Sequence, residues 1–334
     1  MTKGVNRAAA LVALAGAGYA TERVVMRRER RRLDPAAGDE FRPPSGVVHH
    51  TLTMEDGGVV HVVEHGSGRP LVLLHGVTLT YEVWNYQLHD LSDRFRVIAV
   101  DQRGHGTSTA GEEGLAVPRL AADVAAVLTE LDLTDAVVVG HSMGGMVLLQ
   151  FAVGFPEVLR RRVAGIVLLS TTSRGAPQLA LAPILAKAIL PVTRRGIPLA
   201  ARFPGGLLPS NDLSYLLMRI GFGRRPSPTH VDLTRTIESA MSAQSLATLV
   251  GELFRFDVYD DLAAVDVPAL VVVGAADRLT PPAEAHAMAK RLPGAELVVL
   301  PDAGHMLMFE RRDVIEKLLQ RFALDTAERQ VDRR

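Results

Sequence analysis

The chain has 334 residues, 48% of them hydrophobic, which is enough to bury a large core in one big domain or two ordinary ones. Its 37 Lys and Arg balance 37 Asp and Glu, so no excess charge points to nucleic acid as a partner. The absence of cysteine excludes disulfides, thiolate metal sites and a cysteine nucleophile.

Residues 8–20, AAALVALAGAGYA, form an apolar run of 13 behind Lys3 and Arg7. A helix of that length rises about 20 Å, short of the roughly 30 Å hydrocarbon core. Gly18 and Ala20 suit a signal-peptide cleavage point, but the RRERRR run, Arg27 to Arg32, favours keeping that flank in the cytoplasm over export. Residues 5–32 are therefore read as an uncleaved anchor or membrane-surface helix with a cytoplasmic catalytic part, the alternative being a loose extension. Asp34 to Gly46 is polar and proline-rich and reads as a linker, so residues 1–46 stand apart from a folded domain spanning 47–322.

VVHHTLTME and GVVHVVEHG flank the turn Asp56 to Gly58 and predict an antiparallel hairpin. PLVLLHG, Pro70 to Gly76, is almost uninterruptedly apolar, the pattern of a strand covered on both faces. A helical stretch near Glu82 to Leu91 leads to strand Phe95 to Asp101. Helix Val117 to Leu131, strand Ala136 to Val139, helix Met143 to Phe155 and strand Val163 to Leu169 follow. Such alternation implies a parallel sheet with helices on both sides.

From about residue 173 to 256 the alternation stops. Eight of the 19 prolines fall here among apolar helical patches, Leu179 to Leu190, Leu213 to Ile220 and Ile237 to Phe254, so the segment reads as a helical cap inserted between sheet strands. The sheet pattern resumes with PALVVVGAAD, helix Pro281 to Leu292, strand Ala295 to Pro301 and a last amphipathic helix, Met308 to Phe322. Residues 323–334 read as a charged, frayed tail.

GHSMGG, Gly140 to Gly145, stands between a predicted strand and a predicted helix. There a G-x-S-x-G sequence makes a sharp turn that lifts a serine above the sheet, with the first N–H groups of the helix beside it. A serine hydroxyl needs a base, and the base needs a partner that fixes its tautomer. Asp277, just past strand Ala269 to Val273, and His305, just past the next strand, lie at the same sheet edge as Ser142. Taken singly, Asp277 could cap the helix opened by Pro281 and Pro282, and a loop histidine is usually only solvated. Together, the order Ser142, Asp277, His305 is the one expected of such an elbow. The backbone N–H groups of Val77, in HGVTLT, and Met143 are the candidate oxyanion donors.

His75 and the DQRGHG turn, Asp101 to Gly106, read as structural hydrogen-bonders, and alternation points His141 away from Ser142. His49, His50, His61 and His65 read as solvated strand residues rather than metal ligands. Tyr81 and Trp84 could wall a pocket or simply pack.

With these residues in view, the chain resembles the α/β-hydrolase superfamily over roughly residues 47–322. The resemblance rests on HG at 75–76, DQRGHG at 101–106, GHSMGG at 140–145, GAADRLTP at 274–281 and AGHM at 303–306. It implies an eight-stranded, mostly parallel sheet, a helical cap between strands six and seven, and no metal or organic cofactor. Serine at the elbow, where other branches have aspartate, argues against epoxide-hydrolase and haloalkane-dehalogenase chemistry.

The expected activity is cleavage of a small-molecule carboxylic ester, with an apolar acyl or alcohol group, through an acyl-enzyme. The rivals are perhydrolase or haloperoxidase-like chemistry, acyl transfer, C–C hydrolysis, cofactor-free oxygen chemistry, or a member that binds a ligand without turnover. The sequence leaves the oligomeric state open.

Overall fold

Eight strands form one sheet in the order β1-β2-β4-β3-β5-β6-β7-β8. They are β1 (Val48–Thr53), β2 (Val59–His65), β3 (Arg69–Leu74), β4 (Phe95–Asp101), β5 (Ala136–His141), β6 (Val163–Leu169), β7 (Ala269–Gly274) and β8 (Glu296–Leu300). β1 and β2 pair antiparallel, β2 joins β4 antiparallel, and β3 to β8 run parallel. This computed structural model describes residues 32–39, 41–175, 212–238 and 243–331. The apolar run 8–20, the RRERRR run up to residue 31 and the predicted helical patch Leu179 to Leu190 lie outside the described residues. Among the described residues no helix is long and apolar enough to cross a membrane.

Ten α-helices are described: α1 (Asn85–Asp90), α2 (Val117–Glu130), α3 (Met143–Gly154), α4 (Pro156–Arg162), α5 (Asp212–Arg219), α6 (Pro228–Glu238), α7 (Ala243–Arg255), α8 (Pro282–Arg291), α9 (Leu307–Glu310) and α10 (Arg312–Val331). The continuous apolar runs of the central strands sort by period two onto two cores. Val72, Leu74, Ile98, Val100 and Val138 pack with residues of α2, α3 and α8. Leu71, Leu73, Val97, Ala99 and Val137 face the other side, with Trp84 and with Ile315, Leu319 and Phe322 of α10. Each side chain so buried contributes about 1.5–3 kcal/mol of transfer free energy, and that is why the strands read as unbroken apolar segments.

The insertion between β6 and β7 holds α5, α6 and α7 among its described parts. Val231 and Ile237 of α6 join the α10-side core, while Leu249 of α7 joins the α2-side core. The insertion therefore touches both layers.

Two expectations are corrected. The chain after Ala323 is not frayed at its start: α10 continues to Val331, with Ala323 and Thr326 buried beneath it. The linker is not free of the domain either. Asp34 accepts hydrogen bonds from the Thr229 N–H (3.1 Å) and hydroxyl (2.7 Å) and from Ser227. Phe41 packs edge-on against Tyr86 and Phe309.

Candidate active site

All six parallel strands end on one edge, and the loops after β3, β5, β7 and β8 carry the candidate residues. β3 and β5 are neighbours, with Leu74 opposite Gly140. The chain leaves them in opposite directions, to β4 on one side and β6 on the other, opening a crevice at their ends.

Ser142 has φ 54° and ψ −119°, a left-handed conformation that costs a serine on the order of 1–3 kcal/mol. The surroundings over-determine it. Its N–H donates to Leu169 O (3.0 Å), and its carbonyl accepts from Gly145 N (2.9 Å), Met146 N (3.2 Å) and the Thr171 hydroxyl (2.6 Å). The flanking glycines are required by close approach: a Cβ on Gly140 would lie 2.5 Å from Gly144 O, and one on Gly144 would lie 2.4 Å from Leu74 O. Met143 opens α3, so its N–H is among the four that no helical carbonyl can reach.

Asp277 and His305 meet. The Asp277 Oδ2 to His305 Nδ1 distance is 3.0 Å, with both residues buried. Asp277 Oδ1 accepts from the N–H groups of Leu279 and Thr280, each at 2.9 Å, and Oδ2 accepts from the Thr280 hydroxyl at 2.8 Å. Burial alone raises a carboxyl pKa, but the facing imidazole and the Thr280 donors outweigh it and hold Asp277 below the usual carboxylate range. An ionised Asp277 makes Nδ1 of His305 the protonated nitrogen and leaves Nε2 as the lone-pair nitrogen. Asp277 does not cap α8: that helix begins at Pro282 with Pro281 at its cap.

His141, which alternation points away from Ser142, bears on His305. Its Nε2 donates to the His305 carbonyl at 3.0 Å, and the two rings are 4.8 Å apart. Burial, then the neighbouring His305, keeps it neutral by pushing its pKa well below the ordinary value. The His305 backbone thus rests on the residue preceding Ser142.

The β3 loop is braced as the sequence suggested. His75 Nε2 accepts from Gln102 N (3.1 Å), and its Nδ1 donates to Gly76 O (2.7 Å). His105, held neutral by burial with a pKa down to about 3, accepts from Thr78 N (3.3 Å) and donates to Arg103 O (3.2 Å). Val77 lies partly buried between these anchors, one residue before Thr78 at φ 67°. Arg103 is fully buried between Asp56 and Asp123.

Two of the hairpin histidines depart from expectation. His61 bonds Asp101 Oδ2 (3.0 Å) and His49 (2.9 Å), so neither histidine is merely solvated. Among the described residues no three of the metal-ligating types are grouped to hold an ion. Trp84 is wholly buried in the core beside α1.

Two supports escaped the sequence reading. Thr280 stands three residues after Asp277, a spacing that announces a local side-chain turn. Thr171 leaves no such trace, because only the fold brings it under Ser142.

The sheet order and its helical layers are those of an α/β-type hydrolase. A family model described as "Alpha/beta hydrolase family" matches residues 71–318, and the chain belongs to that family. It is 29% identical over 285 residues to the AB hydrolase superfamily protein YisY of Bacillus subtilis, covering 82% of this chain and 98% of that one. It is 31% identical over 263 residues to non-heme chloroperoxidase CPO-A1 of Kitasatospora aureofaciens, covering 76% and 90%. Among solved structures, a thermophilic esterase from Thermogutta terrifontis superposes with TM-score 0.68 at 27% identity, covering 84% of this chain and 99% of that one.

Proposed function

We propose that the protein is a serine hydrolase that cleaves carboxylic esters through an acyl-enzyme, with Ser142 as nucleophile, His305 as base and Asp277 as its orienting partner. The observation that carries this reading is the 3.0 Å bond between Asp277 and His305 at the sheet edge that also bears a strained elbow serine. Ser142 Oγ attacks the ester carbonyl while Nε2 of His305 takes the hydroxyl proton. The N–H groups of Val77 and Met143 stabilise the oxyanion. Imidazolium then protonates the leaving alcohol, and water releases the acid by the same steps reversed. No cofactor enters these steps. A cytoplasmic enzyme held at a membrane through residues 5–32 is the proposed setting, and the apolar inserted helices favour an apolar substrate group.

Ser142→Ala and His305→Ala should each nearly abolish p-nitrophenyl ester turnover with circular dichroism unchanged, and Ser142→Ala should lose fluorophosphonate labelling. Full activity in either variant refutes the assignment.

The likeness to a protein named non-heme chloroperoxidase favours a second reading. Hydrogen peroxide would replace water in attacking the acyl-enzyme, giving a peroxy acid and free Ser142. Product analysis with and without peroxide separates the two.

A further inference from the structure

Glu310 ends the short helix α9, five residues after His305, and its carboxylate serves two other segments. Oε1 accepts from Gly304 N (2.9 Å), the residue before the base, and Oε2 accepts from Gly223 N (2.7 Å), between α5 and α6 of the insertion. The two segments also meet directly. His305 N donates to Gly221 O (2.8 Å) and Arg224 N to Asp302 O (3.3 Å). Arg219, at the end of α5, donates to the carbonyl of Gly223 (2.8 Å), fixing the insertion's half of the junction.

The approach is so close that only glycine fits on either side. A Cβ on Gly223 would stand 2.2 Å from Asp302 O, and one on Gly304 would stand 2.3 Å from Gly223 N. The backbone of the base is thus held from below by His141 and from the side by the inserted segment. Glu310 joins the base's loop and the inserted segment with one carboxylate oxygen on each.

We propose that Glu310 is a positioning residue for His305, which locks the base's loop to the Gly221–Arg224 segment so that the placement of the inserted helices sets the placement of the imidazole. The proposal rests on the triad reading above. Glu310 itself touches neither substrate nor reacting atoms. Its two acceptor oxygens meet two N–H donors, a pairing an amide cannot reproduce, because Gln presents an NH2 group to one of them. A displacement of the base on the order of 1 Å costs up to roughly 10²-fold in rate.

The test uses the full chain, with Glu310→Gln, Glu310→Asp and Gly223→Ala compared on a p-nitrophenyl ester and on fluorophosphonate labelling. Glu310→Gln should lower kcat and the labelling rate together, on the order of 10- to 100-fold, with KM and melting temperature near the parent values. Gly223→Ala should reproduce that loss from the other side of the junction, and Glu310→Asp should recover part of it. Unchanged kcat in Glu310→Gln overturns the proposal. So does a fall in activity that merely tracks a fall in melting temperature, which would make Glu310 a stability residue. Turnover surviving in Ser142→Ala would instead sink the triad reading, which separates the two failures.

Discussion

Asp277 keeps its charge in a place where burial works against it, held first by the facing His305 and then by donors of its own turn. Leu279 N, Thr280 N and the Thr280 hydroxyl satisfy three of its lone-pair positions, and His305 takes the fourth. Asp277→Asn keeps the shape but can present an NH2 group to Nδ1, favouring the wrong tautomer. By the precedent for the same substitution in a serine-protease triad, kcat should drop on the order of 10⁴-fold. Steady-state kinetics on the purified variant checks it, and a loss under tenfold would demote Asp277 to a structural acid.

At the scale of elements, the site is a joint between β5 and α3 that glycine alone permits. Gly144→Ala would push a methyl group to 2.4 Å from Leu74 O and 2.6 Å from His75 O, forcing α3 away from the β3 loop. Backbone is the obstacle, so no rotamer change relieves it. Overpacking of this kind costs roughly 1–3 kcal/mol, and the shift would also separate the Met143 and Val77 N–H groups. Denaturant titration and ester turnover should both register the change, activity more severely.

The loop after β4 is anchored in a comparable way. Arg103 lies at 0% exposure, donating to Asp123 Oδ1 at 2.7 Å and to Asp56 Oδ2 at 2.8 Å, which ties the hairpin turn to α2. Arg103→Ala leaves two carboxylates in a site built for a cation, and about 3–5 kcal/mol of stability should vanish in urea titration. His105 sits two residues on and holds Thr78, so the loop that carries Val77 should lose order with it.

Over the whole molecule, the same carboxylates set the response to acid. Asp34, Asp56, Glu64 and Asp277 all titrate below their ordinary values. For Asp56 the guanidinium of Arg103 is the chief cause, and for Glu64 that of Arg96. Groups lowered by folding contribute stability that is complete above the unfolded values, 3.8 for Asp and 4.5 for Glu, and that fades as pH falls through the folded ones. The melting temperature should therefore decline steeply below about pH 4, and a scan that stays flat to pH 2 contradicts this account. Asp34 extends the effect to the N-terminal arm. It joins residues 193 and 195 positions away, at the start of α6, so acid should loosen the arm and the insertion together.

Much of this was legible in one dimension, because strands buried on both faces must be apolar throughout and a sharp elbow must be flanked by glycine. Gly140, Ser142 and Gly144 announce themselves, and Asp277 and His305 follow from their places just past two such strands. The residues that tune the site are silent in the chain. Thr171 under Ser142, His141 under His305 and Glu310 between two loops act through contacts that the sheet creates. The docked arm and the helical continuation past Ala323 were hidden for the same reason. Local propensity calls such polar stretches linker and tail, and only the surfaces they cover in three dimensions make them otherwise. Periodicity and turn chemistry are properties of neighbours in sequence, and they determined the fold and the candidate triad. Hydrogen bonds between residues 29 (Thr171 and Ser142), 87 (Gly223 and Glu310) and 164 (His141 and His305) positions apart are properties of proximity, and they decided how His305, the elbow and the insertion are held.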